Sequence, residues 1–330
     1  MGESMHGNDA EIALSPMAAL NYGFTKCRAG AIESFGKALL VVSGADGVIS
    51  DGEYRWFYDN FAEMLQLPDD MVARLKAYDP DGASLSDLIS DIHFDTGGHL
   101  GRMLLFDAIR MAQADERYPE AEKSAVAEMA GLLGLDSADC DEIASLVRIE
   151  ASIRDFRRTI FQVREDHQYP IPPDGPNLVK YNAWVTYHFG HAYTTRDAME
   201  AFFHLLLTIA AADGDISETE LQGIEDLALS AGVPDDLRNA LCDYKIGSDR
   251  MEDLVSRISI DADLNVAAIA IYLAIRIASA DQYDTAEQTA VRDAAKRLSV
   301  DITLVPTIEM LVFLEAQFDQ LRRAQFGLDV

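Results

Sequence analysis

Ala211-Ala212-Asp213-Gly214-Asp215-Ile216-Ser217-Glu218-Thr219-Glu220 is the stretch where one helix must stop and another begin. Upstream of it, Met199, Phe202, Leu206 and Ile209 recur at the spacing of a single apolar helical face. Gly214 supplies the stop, because helices commonly end on a residue of positive φ. Ser217 and Glu220 have the spacing of a capping box, and Leu221, Ile224 and Leu227 offer the next helix an apolar stripe.

The same pattern stands earlier in the chain as Gly44-Ala45-Asp46-Gly47-Val48-Ile49-Ser50-Asp51-Gly52-Glu53, and 213 − 46 gives an offset of 167. At that offset Ile32, Phe35, Leu39 and Val42 fall on Met199, Phe202, Leu206 and Ile209, so the whole helix recurs with its turn. One residue is then lost. Leu67-Pro68-Asp69-Asp70 aligns with Val233-Pro234-Asp235-Asp236, and Ala108-Ile109-Arg110 with Ala274-Ile275-Arg276, at 234 − 68 = 166. Later, Leu146-Val147 and Arg157-Arg158 align with Leu311-Val312 and Arg322-Arg323 at 311 − 146 = 165. Agreement over this length indicates a tandem duplication. Each half also repeats weakly within itself. Asp115 to Glu122 copies the spacing of Asp46 to Glu53, and Asp281 to Glu287 comes one residue short of it. Two helix-turn-helix hairpins facing one another, related by an internal pseudo-twofold axis, are therefore expected in each half.

Turn signals at Asp46-Gly47, Pro68-Asp69, Asp79-Pro80-Asp81-Gly82, Thr96-Gly97-Gly98 and Gly134, with no long Val/Ile alternation between them, predict an all-α fold. The expected organisation is a leader over 1–28 with a short helix from Met17, a first domain over 29–166, a proline-rich bridge and unmatched segment over 167–195, and a second domain over 196–330. The bridge holds Tyr169-Pro170-Ile171-Pro172-Pro173, a semi-rigid composition.

The 330 residues include 27 Lys and Arg against 56 Asp and Glu, a net charge of −29. Such a surface repels nucleic acid and anionic membranes and favours cations or a basic protein partner, although acidity also serves solubility. The three cysteines, Cys27, Cys140 and Cys242, form no framework. Residues 1–20 carry no basic flank with an apolar run, and no apolar stretch is long enough to span a bilayer. A cytoplasmic protein in a reducing compartment, without membrane insertion, is expected.

The run Ala-Asp-Gly-x-Ile-Ser-x-x-Glu after an apolar helix, a degenerate Ala-Asp…Glu half a domain later, and Met129-Ala130-Gly131-Leu132-Leu133-Gly134-Leu135 resemble the TerB-like family of tellurite-resistance proteins, a module also attached to some co-chaperones. The resemblance extends over both halves and implies two tandem all-helical TerB-like domains. It also implies a role in stress response and metal binding through the acidic turns. No J-domain His-Pro-Asp triplet accompanies it, so a chaperone-recruiting role has no support.

The first-domain ligand candidates are Asp46, Glu53, Asp115 and Glu122, with Asp51 as an outer ligand. In the second domain they are Asp213, Asp215, Glu220, Asp281 and Glu287, with Asp284 in reserve. If the hairpins face each other these carboxylates converge on a divalent cation, Ca²⁺, Mg²⁺, Mn²⁺ or Zn²⁺. The turns are not EF-hands, since the Glu comes too soon after the first Asp. A structural reading stands beside this one: Ser50–Glu53, Ser217–Glu220 and Asp284–Glu287 satisfy capping boxes, each worth about 1 kcal/mol, in a scaffold without metal. A metal-dependent hydrolase on the same carboxylates is the third reading, but no nucleophile elbow, phosphate loop or His-Glu-x-x-His is present, so a non-enzymatic module is expected. His188 and His191, at i and i+3, could bind zinc with His167, but packing or solvent exposure is the expectation. Trp56, Phe57 and Phe61 are assigned to packing, and Arg157, Arg158, Arg322 and Arg323 to helix ends in preference to pairing with the acidic turns.

Overall fold

The structure is a computed structural model that describes residues 10–96, 99–115, 117–163, 177–189, 193–211, 216–245, 249–258, 266–279, 283 and 285–328. The chain divides into two compact units, Met1–Ala151 with Phe318–Val330, and Ser152–Gln317. The fold is all-α. Among the described residues the strands form only two short antiparallel hairpins.

The first unit starts with β1 (Glu11–Ala13), α1 (Pro16–Tyr22) and β2 (Lys26–Arg28). Then come α2 (Ala29–Ser43), α3 (Asp51–Phe57), a π-helical continuation (Tyr58–Glu63), α4 (Asp69–Lys76), α5 (Leu85–Thr96), α6 (His99–Ala112) and α7 (Glu120–Leu132). A long helix, α8 (Ser137–Phe161), leaves the first unit and enters the second. The second unit holds β3 (Leu178–Lys180), α9 (Ala183–Phe189), β4 (Tyr193–Thr195), α10 (Arg196–Ala210), α11 (Glu218–Ala231), α12 (Asp235–Cys242), α13 (Met251–Ile258), α14 (Val266–Ala278), α15 (Thr285–Arg297) and the start of α16 (Val305–Phe326).

The likeness of the two halves in backbone reaches further than their side chains. Residues 11–28 and 178–195 were expected to be an unrelated leader and an unmatched segment. They form the same strand–helix–strand, with all six element boundaries offset by 167 (178 − 11). Their registers agree too, Glu11 pairing with Arg28 and Leu178 with Thr195. Side-chain identity has drifted here while the backbone construction has not.

The residue lost between the halves also has a physical place. The helical run from Asp51 to Leu65 corresponds to Glu218–Ala231, which is one residue shorter. The extra residue is taken up by the π-helical stretch Tyr58–Glu63, where the hydrogen-bond ladder widens by one position without ending the helix. Phe61 in that stretch is fully buried and stacks on Phe35 of α2, with ring centroids 5.5 Å apart. At Gly36 an added Cβ would lie 2.8 Å from Phe61 Cε1, so glycine permits the approach.

Two details of the apolar stripes differ from expectation. Phe202 is half-buried, and its neighbour Phe203 occupies the core instead. Leu221 is exposed, and the inward face of α11 begins with Glu220, followed by Ile224 and Ala228. The capping box turns the glutamate back over the helix end and so fixes which face points inward.

Each unit is closed by the last turns of a long helix, and the residues that do this correspond. In the first unit Phe326 of α16 packs on Phe106 of α6, with centroids 5.3 Å apart, and Arg322 donates to Asn21 Oδ1 at 2.8 Å. In the second, Phe161 of α8 packs on Tyr272 of α14, again at 5.3 Å, while Arg157 contacts Glu315 at 2.7 Å and His188. Phe161 and Phe326, like Arg157 and Arg322, are 165 apart (326 − 161), so the two halves use equivalent residues taken from the opposite half of the chain. Arg157 and Arg322 thus serve structural pairs.

Phe326→Ala should destabilise the first unit by about 3–5 kcal/mol. Amide exchange would show the loss of protection in α2 and α6, far away in sequence, while Phe161→Ala should act on α14. Loss confined to the last residues of the chain would contradict this closure.

Candidate metal centre

Two turns of the first unit meet. The first follows α2, whose end is closed by Gly44 N–H donating to Leu40 at 2.9 Å. Asp46 Oδ1 accepts from Val48 N–H at 3.0 Å, and Gly47 takes φ 92°, conditions for a tight Asx-type turn. Ser50 then caps α3 in a complete capping box. Ser50 Oγ accepts from Glu53 N–H at 3.2 Å and Glu53 Oε2 from Ser50 N–H at 2.8 Å. The second turn follows α6 and has the same build at its start, Asp115 Oδ1 accepting from Arg117 N–H at 3.0 Å. Its next helix, α7, opens differently: Pro119 is the cap, no side chain accepts there, and Glu122 occupies the third helical position.

The contact between the turns is made at Gly52. A Cβ there would stand 3.0 Å from Asp115 Cβ and 3.4 Å from its Cα, so a side chain would force the two apart. With glycine in place the carboxylates gather. Glu53 is 2% exposed and Glu122 3% exposed. Glu122 Oε2 is buried without a hydrogen-bond partner, whereas the buried Glu53 carboxyl has the Ser43 hydroxyl beside it as a hydrogen-bonding neighbour.

The electrostatics follow from this crowding. Burial, followed by the charges of Glu53, Asp46 and Asp115, pushes the Glu122 carboxyl up to about 8. Burial also raises Glu53, with Asp115 adding to the effect and the bonds to Ser50 opposing it. The turns expected to converge in the first half do so through Asp46, Glu53, Asp115 and Glu122. Asp51 sits exposed at the first position of α3, outside the cluster.

Among the described residues no three His, Cys, Asp or Glu side chains are arranged to hold a metal ion as they stand. The four carboxylates are near neighbours that would have to draw together. As donors they are all oxygen, and the buried Glu122 Oε2 lacks a partner, a chemistry that suits a hard divalent cation.

In the second unit Asp213, Asp215, Asp281 and Asp284 lie outside the described residues. Glu220 is buried and completes its capping box with Ser217, at 2.8 and 3.2 Å. Glu287 is half-buried in the first turn of α15. Thr219 stands where the first unit has Gly52 (52 + 167), so the counterpart of the close approach carries a side chain. His167 and His191 lie outside the described residues, and His188 is engaged by Arg157. Trp56, Phe57 and Phe61 are core residues.

Glutamates committed to helix capping were recognisable from Ser-x-x-Glu. The burial of Glu122 was not, because no cap accompanies it and the apolar pattern of α7 is weak.

A comparison with protein-family models matches residues 35–145 to TerB, described as tellurite resistance protein TerB. The matched stretch runs from α2 into α8 and contains both acidic turns of the first unit. Neither curated proteins nor solved structures give a match. Among the described residues no helix is long and apolar enough to cross a membrane.

With the ion-free protein, acidification should stabilise the first unit. The folded carboxyl of Glu122 at about 8 lies above its ordinary value of ~4.3 in the unfolded chain. The folded state therefore binds the proton first, and stability is lost as pH rises through about 8. Denaturant unfolding of chelator-treated protein should give greater stability at pH 6 than at pH 9, a difference reduced in Glu122→Gln.

Proposed function

We propose that the first unit is a non-enzymatic, TerB-like cation-binding module that presents a protein-interaction surface in a cytoplasmic stress response of the tellurite-resistance kind. What carries the reading is the buried, unpartnered Glu122 Oε2, set beside the buried carboxyl of Glu53 from the facing turn. Asp46 and Asp115 would complete the set, each having one oxygen committed to its own turn. A divalent ion supplies the positive charge that lets Glu122 ionise beside Glu53, Asp46 and Asp115, in place of the proton it holds at neutral pH.

Glu53 and Glu122 sit at the starts of α3 and α7, so a closer approach of their carboxylates changes the relation between those two helices. Val48, an exposed valine at the tip of the first turn, lies on the surface that would shift. Such a change in what is offered to a partner is the pattern of ligand-driven switching.

A scaffold without metal is the second reading, favoured by the two complete capping boxes. It accounts for Glu53 and Glu220, but not for Glu122, which is buried and caps nothing.

Thermal unfolding of chelator-treated protein, with and without Ca²⁺, Mg²⁺, Mn²⁺ or Zn²⁺, separates the two. An ion at about 100 times its dissociation constant adds roughly 2.7 kcal/mol, a rise of several degrees. The rise should disappear in Glu53→Gln with Glu122→Gln and be weakened in Gly52→Ala, which keeps every carboxylate. If no ion raises the midpoint of the wild-type chain, the turns are helix caps and the module reading fails.

A further inference from the structure

The internal repeat supplies a control for each half, and one position stands out on that comparison. In the first unit Lys37 of α2 pairs with Glu33 at 2.8 Å and lies over the Tyr78 ring, 5.4 Å from its centroid, with 26% of its side chain exposed. Its counterpart is His204 of α10 (37 + 167), and that of Tyr78 is Tyr244 (78 + 166). His204 stacks on Tyr244 with centroids 3.8 Å apart and planes at 14°. A permanent cation with an ion partner and access to water is replaced by a titratable ring that is only 7% exposed.

His204 Nδ1 is buried without a hydrogen-bond partner, and the nearest carboxylate oxygen, Asp249 Oδ2, is 3.9 Å away, beyond hydrogen-bond reach. The charged groups facing the ring come from each element packed on it. Glu200 lies one turn earlier on α10, Asp249 in the segment before α13, and Arg257 on α13, while the Tyr244 ring is stacked on the imidazole. Arg257 is engaged with Asp197 at 2.6 Å and approaches Glu200 to 3.9 Å, which takes up part of the negative charge Glu200 would offer an imidazolium.

We propose that His204 is an acid-sensitive joint of the second unit. When neutral it is an apolar plate between α10 and Tyr244; when protonated it is a buried cation whose Nδ1–H has no hydrogen-bond partner and only Asp249 at 3.9 Å, which loosens α10 from Tyr244 and from the segment entering α13. The direction agrees with the electrostatics, since burial, outweighing Glu200 and Asp249, holds the imidazole below its ordinary 6.5. With the folded value depressed, the unfolded chain takes up the proton first. Stability is therefore full above pH 6.5 and is lost as pH falls below it. The first unit, with Lys37 in this place, has no such loss from this position.

Two measurements on the full chain test this. The first is a side-chain NMR titration of His204, which should give a value below 6.5. The second is amide exchange, corrected for the intrinsic effect of pH, at pH 7.5 and 5.5. Protection in α10, α12 and α13 should be lost at the lower pH and retained in His204→Phe, which keeps the plate and removes the charge. A wild-type His204 titrating at 6.5 or above overturns the proposal whether or not the variant folds. So does an equal loss of protection in His204→Phe.

Discussion

The closure of each unit by an aromatic residue from a long helix is the constraint on which the rest of the structure depends. Phe326 lies against Phe106 and Phe161 against Tyr272, all of them buried. In the sequence Phe326 follows the second half and Phe161 the first, yet the units take them the other way round. The first acidic site is therefore held by a framework that needs the last turns of the chain, although every one of its carboxylates lies before residue 123. A fragment ending in α8 would hold the ligand candidates and lack the ring that covers α6.

That exchange was not legible in the sequence, and the reason is physical. Periodicity reports which face of a helix is apolar, not which partner covers it. The helices themselves were legible, since Ile32, Phe35, Leu39 and Val42 are all buried as their spacing requires. The slips in repeat offset were visible as gaps but acquired a cause only from the backbone. One became a π-helical widening at Tyr58–Glu63. The other lies between α6 and α7, whose counterparts in the second half begin to differ at the turn from Asp115 to Glu122. The strand–helix–strand lead-ins went unrecognised because too few side chains match to reveal them.

At the acidic turns the residue types were legible and their energetics were not. Ser50-Asp51-Gly52-Glu53 reads as a cap whatever else it does, and a cap needs only one carboxylate oxygen. The burial of Glu122 without any cap is what a helix start does not explain, and it depends on what lies across the gap. Gly52 carries this information in the sequence only in hindsight. It looks like a permissive turn residue, whereas its function is to let α3 approach Asp115. Leu221 misled in the opposite direction, since an apolar residue beside an N-terminal glutamate need not share its inward face.

Duplication freed the two halves to diverge where the fold tolerates it. Gly52 against Thr219 alters how closely two turns can approach, and Lys37 against His204 alters whether a buried site keeps its charge. Both differences fall on the helices that flank the first acidic turn of each half, and both leave the neighbouring core positions apolar. The core requires volume and shape at Phe35, Leu39, Leu206 and Ile209, but places no demand on the polar residues around it. Chemistry can therefore be gathered in one copy and changed in the other without loss of the architecture, so likeness of fold between the halves is no argument for likeness of function.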